Sequence, residues 1–251
     1  MTSGSKPALS KRIATKLRRL RGSLTRRRLP WSAAPQSHVF IITYGRTGST
    51  LLQKLIGTLP GHYMAGENHD CLHGVFDAWQ NATVLKAKYG WGYQAVQHPW
   101  HGAHVADPDG YARAMVAAFV NNILKPPRGS RVIGFKEIRY LTADLRDYLL
   151  FIDRFLAPAK FIVNTRSVDA VSQSAWWKKI DKDVLAADVA RFEAVTNALV
   201  AEFPDRFVKI DYARWTTDPD ALRPVYAMLG VPFDAAAIAA TLEVRLEHMR
   251  K

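Results

Sequence analysis

The sequence predicts an α/β fold: a single three-layer domain, residues 37–251, with a central parallel sheet and helices on both faces, preceded by a basic N-terminal tail, residues 1–36. Three observations carry this. Four short apolar runs have the length and composition of strands buried on both sides. Helical patterns stand between them, as the connection of parallel strands requires. A glycine-rich loop separates the first run from the first helix, at the edge where open α/β sheets take ligands.

In chain order, HVFIITY (38–44) is the first strand. A helix over 49–59 follows and is stopped by Pro60-Gly61. Residues 62–131, rich in aromatics and histidine, read as irregular. VIGFKEI (132–138) is the second strand, entered from the turn Pro126-Pro127-Arg128-Gly129. A helix over 141–156 leads to the third strand, KFIVNTR (160–166), and a helix then runs through 174–178. An amphipathic helix covers 184–201, FVKIDY (207–212) is the fourth strand, and helices over 217–229 and 234–247 complete the chain.

The net charge is +13, from 35 Lys and Arg against 22 Asp and Glu. Lys6, Lys11, Arg12, Lys16, Arg18, Arg19, Arg21, Arg26, Arg27 and Arg28 all precede the first strand, with no carboxylate among them. That leaves 25 cations against 22 carboxylates, so the excess belongs to the tail, and no specific nucleic-acid reader is expected in the folded part. Ile13, Leu17, Leu20 and Leu24 recur at spacings of 4, 3 and 4 between the basic residues. The tail therefore reads either as a basic amphipathic helix for an anionic membrane surface or as a solvated disordered segment. The one cysteine, Cys71, excludes an internal disulfide framework, fits a reducing compartment, and reads as a small buried residue. With no apolar run of membrane-spanning or signal-peptide length, the expected location is cytoplasmic, with membrane association through the tail left open.

Tyr44-Gly45-Arg46-Thr47-Gly48-Ser49-Thr50 has the makings of an anion cradle. Gly45 and Gly48 permit a sharp turn and close approach. The N–H groups at 47–50 point into a helix N-terminus, Ser49 and Thr50 add hydroxyls, and Arg46 adds a fixed positive charge. A nucleotide triphosphatase loop would read G-x-x-x-x-G-K-[ST]. Here no lysine follows Gly48, and Asp211 is the nearest approach to a metal-holding aspartate, which disfavours Mg-dependent phosphoryl transfer.

Arg46-Thr47-Gly48-Ser49-Thr50-Leu51-Leu52 resembles the 5′-phosphosulfate loop of sulfotransferases, with Gly45 where that family usually has proline. A second segment agrees: FIVNTRSVDAVSQS puts Arg166 at the end of the third strand and Ser174 eight residues on, as in the family's 3′-phosphate site. A phosphate dianion calls for a guanidinium fork and a hydroxyl from converging elements. Ser172 is a competing hydroxyl on another face. Segment 208–234 resembles the family's late tyrosine segment, implying an adenine contact for Tyr212, though Ala213 replaces the usual glutamate. Leu51 stands where some members carry an adenine-stacking tryptophan. The resemblance covers roughly 38–240. It implies a P-loop-like nucleotide-binding fold, 3′-phosphoadenosine 5′-phosphosulfate (PAPS) as donor, adenosine 3′,5′-bisphosphate (PAP) as product, no metal, and a hydroxyl acceptor, either a small molecule or a glycan or glycolipid. Cofactor contacts are expected from Gly45, Arg46, Thr47, Gly48, Ser49, Thr50, Leu51, Arg166, Ser174 and Tyr212.

Sulfuryl transfer needs a base on the acceptor and positive charge at the leaving phosphate. Arg46 is placed for the charge. Gly66-Glu67 lies about twenty residues past Arg46, where similar members carry their catalytic glutamate, so Glu67 is the expected base, with His69 and Asp70 in reserve. Lys136 and Glu137 end the second strand at the ligand edge. They read either as site residues, with Lys136 neutralising the transferring group, or as a surface ion pair. His98, His101 and His104 do not match a common zinc spacing. With Trp91, Tyr93 and Trp100 they read as an acceptor-binding loop. Trp176-Trp177 reads as core and site wall. The competing classes are a Mg-dependent P-loop kinase and a tail-driven membrane or nucleic-acid binder.

Overall fold

The computed structural model describes residues 37–92 and 95–249; the tail assigned to 1–36, and Tyr93, lie outside the described residues. Five parallel strands form one sheet in the order β2-β3-β1-β4-β5, where β1 is Ser37–Ile42, β2 His62–Ala65, β3 Val132–Glu137, β4 Ala159–Thr165 and β5 Phe207–Asp211. β1 is central, and the chain builds outward from it first through β2 and β3, then through β4 and β5. The strand order therefore reverses beside β1, and the crevice beyond its carboxyl end is the ligand position for this topology.

Alternation along β1 divides the core in two. Phe40, Ile42 and Tyr44 join Phe135, Phe161 and Phe207 on one face. That face is covered by helices α2 (Cys71–Tyr89), α3 (Pro108–Phe119), α4 (Leu145–Phe155) and α6 (Lys182–Glu202). Val39 and Ile41 join Ile162 and Ile210 on the other face, under α1 (Ser49–Gly57), α7 (Tyr212–Thr217), α8 (Arg223–Leu229) and α9 (Ala235–Met249). α5 (Val168–Ser172) follows β4. The three-layer expectation holds. No helix among the described residues is long and apolar enough to cross a membrane.

Several sequence expectations are corrected. Residues 62–131 are mostly regular: they hold β2, α2, α3 and a π-helical extension, Val120–Leu124. β2 has only four residues and no apolar run, so period-2 reading passes over it. α3 did carry a start signal: the Asp107 side chain accepts from Gly110 N and Pro108 takes the first turn. The fourth sequence-read strand ends at Asp211, which caps α7, so Tyr212 opens a helix. The helix expected after β4 breaks at Ser174, whose backbone is extended, before a 3₁₀ turn over Ala175–Lys179. The helix read over 217–229 is a 3₁₀ turn, Pro219–Leu222, followed by α8. Cys71 is exposed, because it starts α2 at the surface instead of facing the core.

Candidate active site

The loop after β1 is built by buried hydroxyls and one asparagine. Thr43 Oγ1 donates to Asn164 O at 2.6 Å and lies 2.6 Å from Thr47 Oγ1. Asn164 Nδ2 donates to Thr47 O at 2.8 Å, and Trp215 Nε1 donates to Asn164 Oδ1 at 2.9 Å. All four residues are fully buried, so these polar groups satisfy one another where water does not reach. Thr47 thus supports the loop through its side chain. Its neighbours Arg46 (φ 71°) and Gly48 (φ 72°) take left-handed backbone, which turns successive N–H groups to one side. Arg46 bears that conformation with a side chain, at a cost of about 1–3 kcal/mol that a functional loop commonly carries.

Gly48 caps α1 without any side-chain cap bond. Among the described residues, no protein acceptor takes the N–H groups of Gly48, Ser49 or Thr50. They are donors at the positive end of a nine-residue helix, the arrangement an anion requires. Ser49 is buried and Thr50 exposed. Leu51 is withdrawn from the donor set: its N–H bonds Gly48 O at 3.0 Å and its side chain joins the apolar core. Gly45 has a packing reason. A Cβ there would stand 2.5 Å from the Trp176 ring and 3.0 Å from Trp177 Nε1. Trp177 Nε1 instead donates to Gly45 O at 3.1 Å, while Trp176 lies half-exposed beside it, so the pair does wall the loop.

Arg166 and Ser174, the second motif read from the sequence, meet the first. Arg46 Nε donates to Ser174 Oγ at 3.3 Å, and Arg166 Nη1 donates to Arg46 O at 2.9 Å. These join residues 128 and 120 positions apart. The Arg166 backbone is fixed by Tyr44, whose hydroxyl donates to Arg166 O at 2.6 Å and accepts from Arg166 N at 3.1 Å. Burial pushes the Tyr44 phenol up to about 12, so it stays a neutral clamp. The Tyr212 ring lies under the Arg166 guanidinium, 4.7 Å from its centroid, and so close to Gly48 that a Cβ there would meet Tyr212 Cε2 at 2.0 Å. Tyr212 therefore seats Arg166 against the loop. Ser172 turns away to donate to Asp169 O at 3.0 Å.

Opposite this cluster, Lys136 and Glu137 sit at the end of β3, in register with Ile41 and Ile42 of β1. They do not pair with each other. Glu137 is buried and accepts from the N–H groups of Asn68 (3.0 Å), Asp70 (3.1 Å) and Ile138 (2.8 Å), so it pins the 67–70 loop from beneath. Lys136 is 4% exposed, and its ammonium bonds the Glu67 carboxylate, which is 43% exposed. The surface-pair expectation fails because Lys136 is taken out of water. His69 is exposed and in left-handed backbone, φ 58°. His73, on the first turn of α2, lies between Asp144 (3.1 Å) and Asp77 (3.5 Å).

Asp70 is half-buried at φ 61°, and its Oδ1 has no hydrogen-bond partner. Burial first lifts its carboxyl above the ordinary 3.8; His73 and Arg139 pull it down, and Glu137 and Asp77 add to the rise. A raised folded-state value means the folded chain holds the proton more tightly than the unfolded one. Stability therefore falls as pH rises from 3.8 through the folded-state value, and the penalty is full above it. Asp70→Asn, which tolerates left-handed backbone, is expected to raise Tm at neutral pH by about 2 °C. The gain should vanish below pH 3.8; a calorimetric series across pH checks this, and equal melting at pH 7 would refute it.

The histidine and tryptophan loop lies elsewhere. α2 leaves the 67–70 segment and runs 19 residues, about 27 Å at 1.5 Å per residue. The loop is fastened at its far end, by Lys86 Nζ donating to His104 O and by Tyr89 stacked on Trp100 at 3.9 Å. Side chains there do not reach a group held at the β1 loop.

Residues 38–235 match the model of the sulfotransferase family. Among solved structures, the chain is similar to a sulfotransferase from Alicyclobacillus acidocaldarius at 16% identity, covering 86% of this chain and 96% of that one, with a TM-score of 0.44. It is also similar to mouse sulfotransferase SULT7A1 complexed with PAP at 13% identity, with a TM-score of 0.44, covering 83% of this chain and 65% of that one. Among curated proteins none matches the chain.

Proposed function

The chain belongs to the sulfotransferase family, and on that premise we propose that it moves the sulfuryl group of PAPS onto an acceptor hydroxyl, with a glycan or glycolipid as the favoured acceptor class. The observation that carries the site assignment is the contact of Arg46 with both Ser174 and Arg166. Two motifs that read separately as binders of the 5′-phosphosulfate and the 3′-phosphate form one charged surface. The unbonded N–H groups of Gly48, Ser49 and Thr50 fit the same anion.

In the proposed mechanism Glu67 accepts the proton of the acceptor hydroxyl. The freed oxygen attacks sulfur as the bond from sulfur to the bridging phosphate oxygen breaks, and PAP leaves with the added charge. Arg46 and the loop N–H groups meet that charge, which makes them worth more in the transition state than before it. Lys136 aims the base and supplies a buried positive charge beside the transferring group. Arg166 and Ser174 hold the 3′-phosphate, and Tyr212 contacts the adenine while seating Arg166. Glu137 and Tyr44 keep the two loops in register. A location in the cytoplasm with tail contact to a membrane accords with this reading.

The test is transfer of radiolabelled sulfate from PAPS to a panel of hydroxyl acceptors. Label should appear on acceptor in step with PAP, and chelation of divalent metal should leave the rate unchanged. Phosphate transfer from ATP that requires Mg²⁺, without sulfate transfer, would replace this reading by the kinase alternative.

A further inference from the structure

The surface at the far end of α2 has no part in that chemistry and an unusual composition. Ten large apolar side chains are exposed among the described residues, and five of them (Val84, Trp91, Val96, Trp100 and Val105) fall between positions 84 and 105. Such clustering marks an interaction surface, whereas scattered apolar residues need no explanation. The exposures are large: Trp91 81%, Val96 76% and Val105 73%.

Residues 95–105 are held as a compact run of turns. Successive turns close through His98 N to Ala95 O (2.9 Å), His101 N to His98 O (2.9 Å), Ala103 N to Trp100 O (3.1 Å) and Val105 N to Gly102 O (3.2 Å). The Tyr89–Trp100 stack and the Lys86–His104 bond tie it to the last turn of α2. Val96, Trp100 and Val105 are therefore presented outward on an ordered base, and their exposure is built in.

Charge identifies the occupant. From 78 to 106 there is no Asp or Glu, while Lys86, Lys88 and three histidines are present. A cation-bearing, carboxylate-free projection tipped with tryptophan and valine matches the interfacial zone of an anionic bilayer, where indole rings sit at headgroup depth and lysines meet anionic lipid. We infer that the described residues between 84 and 105 dock this protein on an anionic lipid surface. The chain carries a second sequence signal of the same sign, the ten cations of its N-terminal tail. Lasting peripheral attachment takes two such signals, because one alone gives only marginal binding.

The experiment uses the full chain and vesicles of phosphatidylcholine and phosphatidylserine at about three to one, in salt high enough to screen the tail. The variant Trp91→Ala/Val96→Asp/Val105→Asp should bind about tenfold more weakly than the parent. PAP affinity should be unchanged in the variant, which also certifies its fold. Lys88→Glu alone, at an exposed helix position and assayed at low ionic strength where its charge is not screened, should weaken vesicle binding in the same direction. Equal vesicle binding by parent and both variants overturns the inference. So does a parent dimer in light scattering that the triple variant dissociates, since a second copy would then cover this face.

Discussion

Glu67→Gln is expected to lower kcat about a thousandfold while PAP affinity stays within about threefold of the parent. A positioned general base contributes roughly 10²–10⁴, and Gln keeps the shape and a hydrogen-bond acceptor but cannot take a proton. The choice of Gln is forced by Lys136. That ammonium is 4% exposed and bonded to Glu67, so Glu67→Ala would strand a buried charge at a cost of about 3–5 kcal/mol. Inactivity of the alanine variant would confound chemistry with folding. Initial-rate measurements beside PAP calorimetry separate the outcomes. A kcat within tenfold of the parent would move the base to His69 or Asp70.

Arg166→Ala should weaken PAP about a hundredfold, from the loss of charged hydrogen bonds worth about 1.5–3 kcal/mol each at their upper end. The guanidinium is already oriented before any ligand arrives, by Arg46 O and by the Tyr212 ring. Arg166→Lys keeps the charge but loses the fork and the stacking surface, so it should recover only part of the affinity. Adenosine 5′-phosphosulfate, which lacks the 3′-phosphate, gives the internal control: its affinity should fall much less in Arg166→Ala than that of PAP. An equal fall for both ligands would remove Arg166 from the 3′-phosphate.

How much of this was legible in the sequence follows the range of the physics. The anion loop, Arg166 and Ser174 could be read because strand, turn and helix signals are local. The contact that unites them spans 120 residues or more and leaves no local mark. Lys136 illustrates the same limit: its place at a strand end was legible, its partner Glu67 was not. Asn164, Tyr44 and Trp215 escaped because each looks like an ordinary strand or helix residue, and only burial together turns them into struts. In 62–131 the failure was of pattern. α2 interleaves polar and apolar residues, carries Gly74, and buries only Leu72, Val75 and Phe76 early in its length, so no sustained stripe announces it.

The bond from Arg166 to the carbonyl of Arg46 has a thermodynamic consequence. In the proposed site one half is braced by the other, so the two phosphate affinities are not separate quantities. The acceptor is a main-chain carbonyl, so the brace survives substitution of the Arg46 side chain and is lost only with the Arg166 guanidinium. A donor arriving at either end meets a mould whose other end is already set, so much of the ordering cost of catalysis was met when the chain folded.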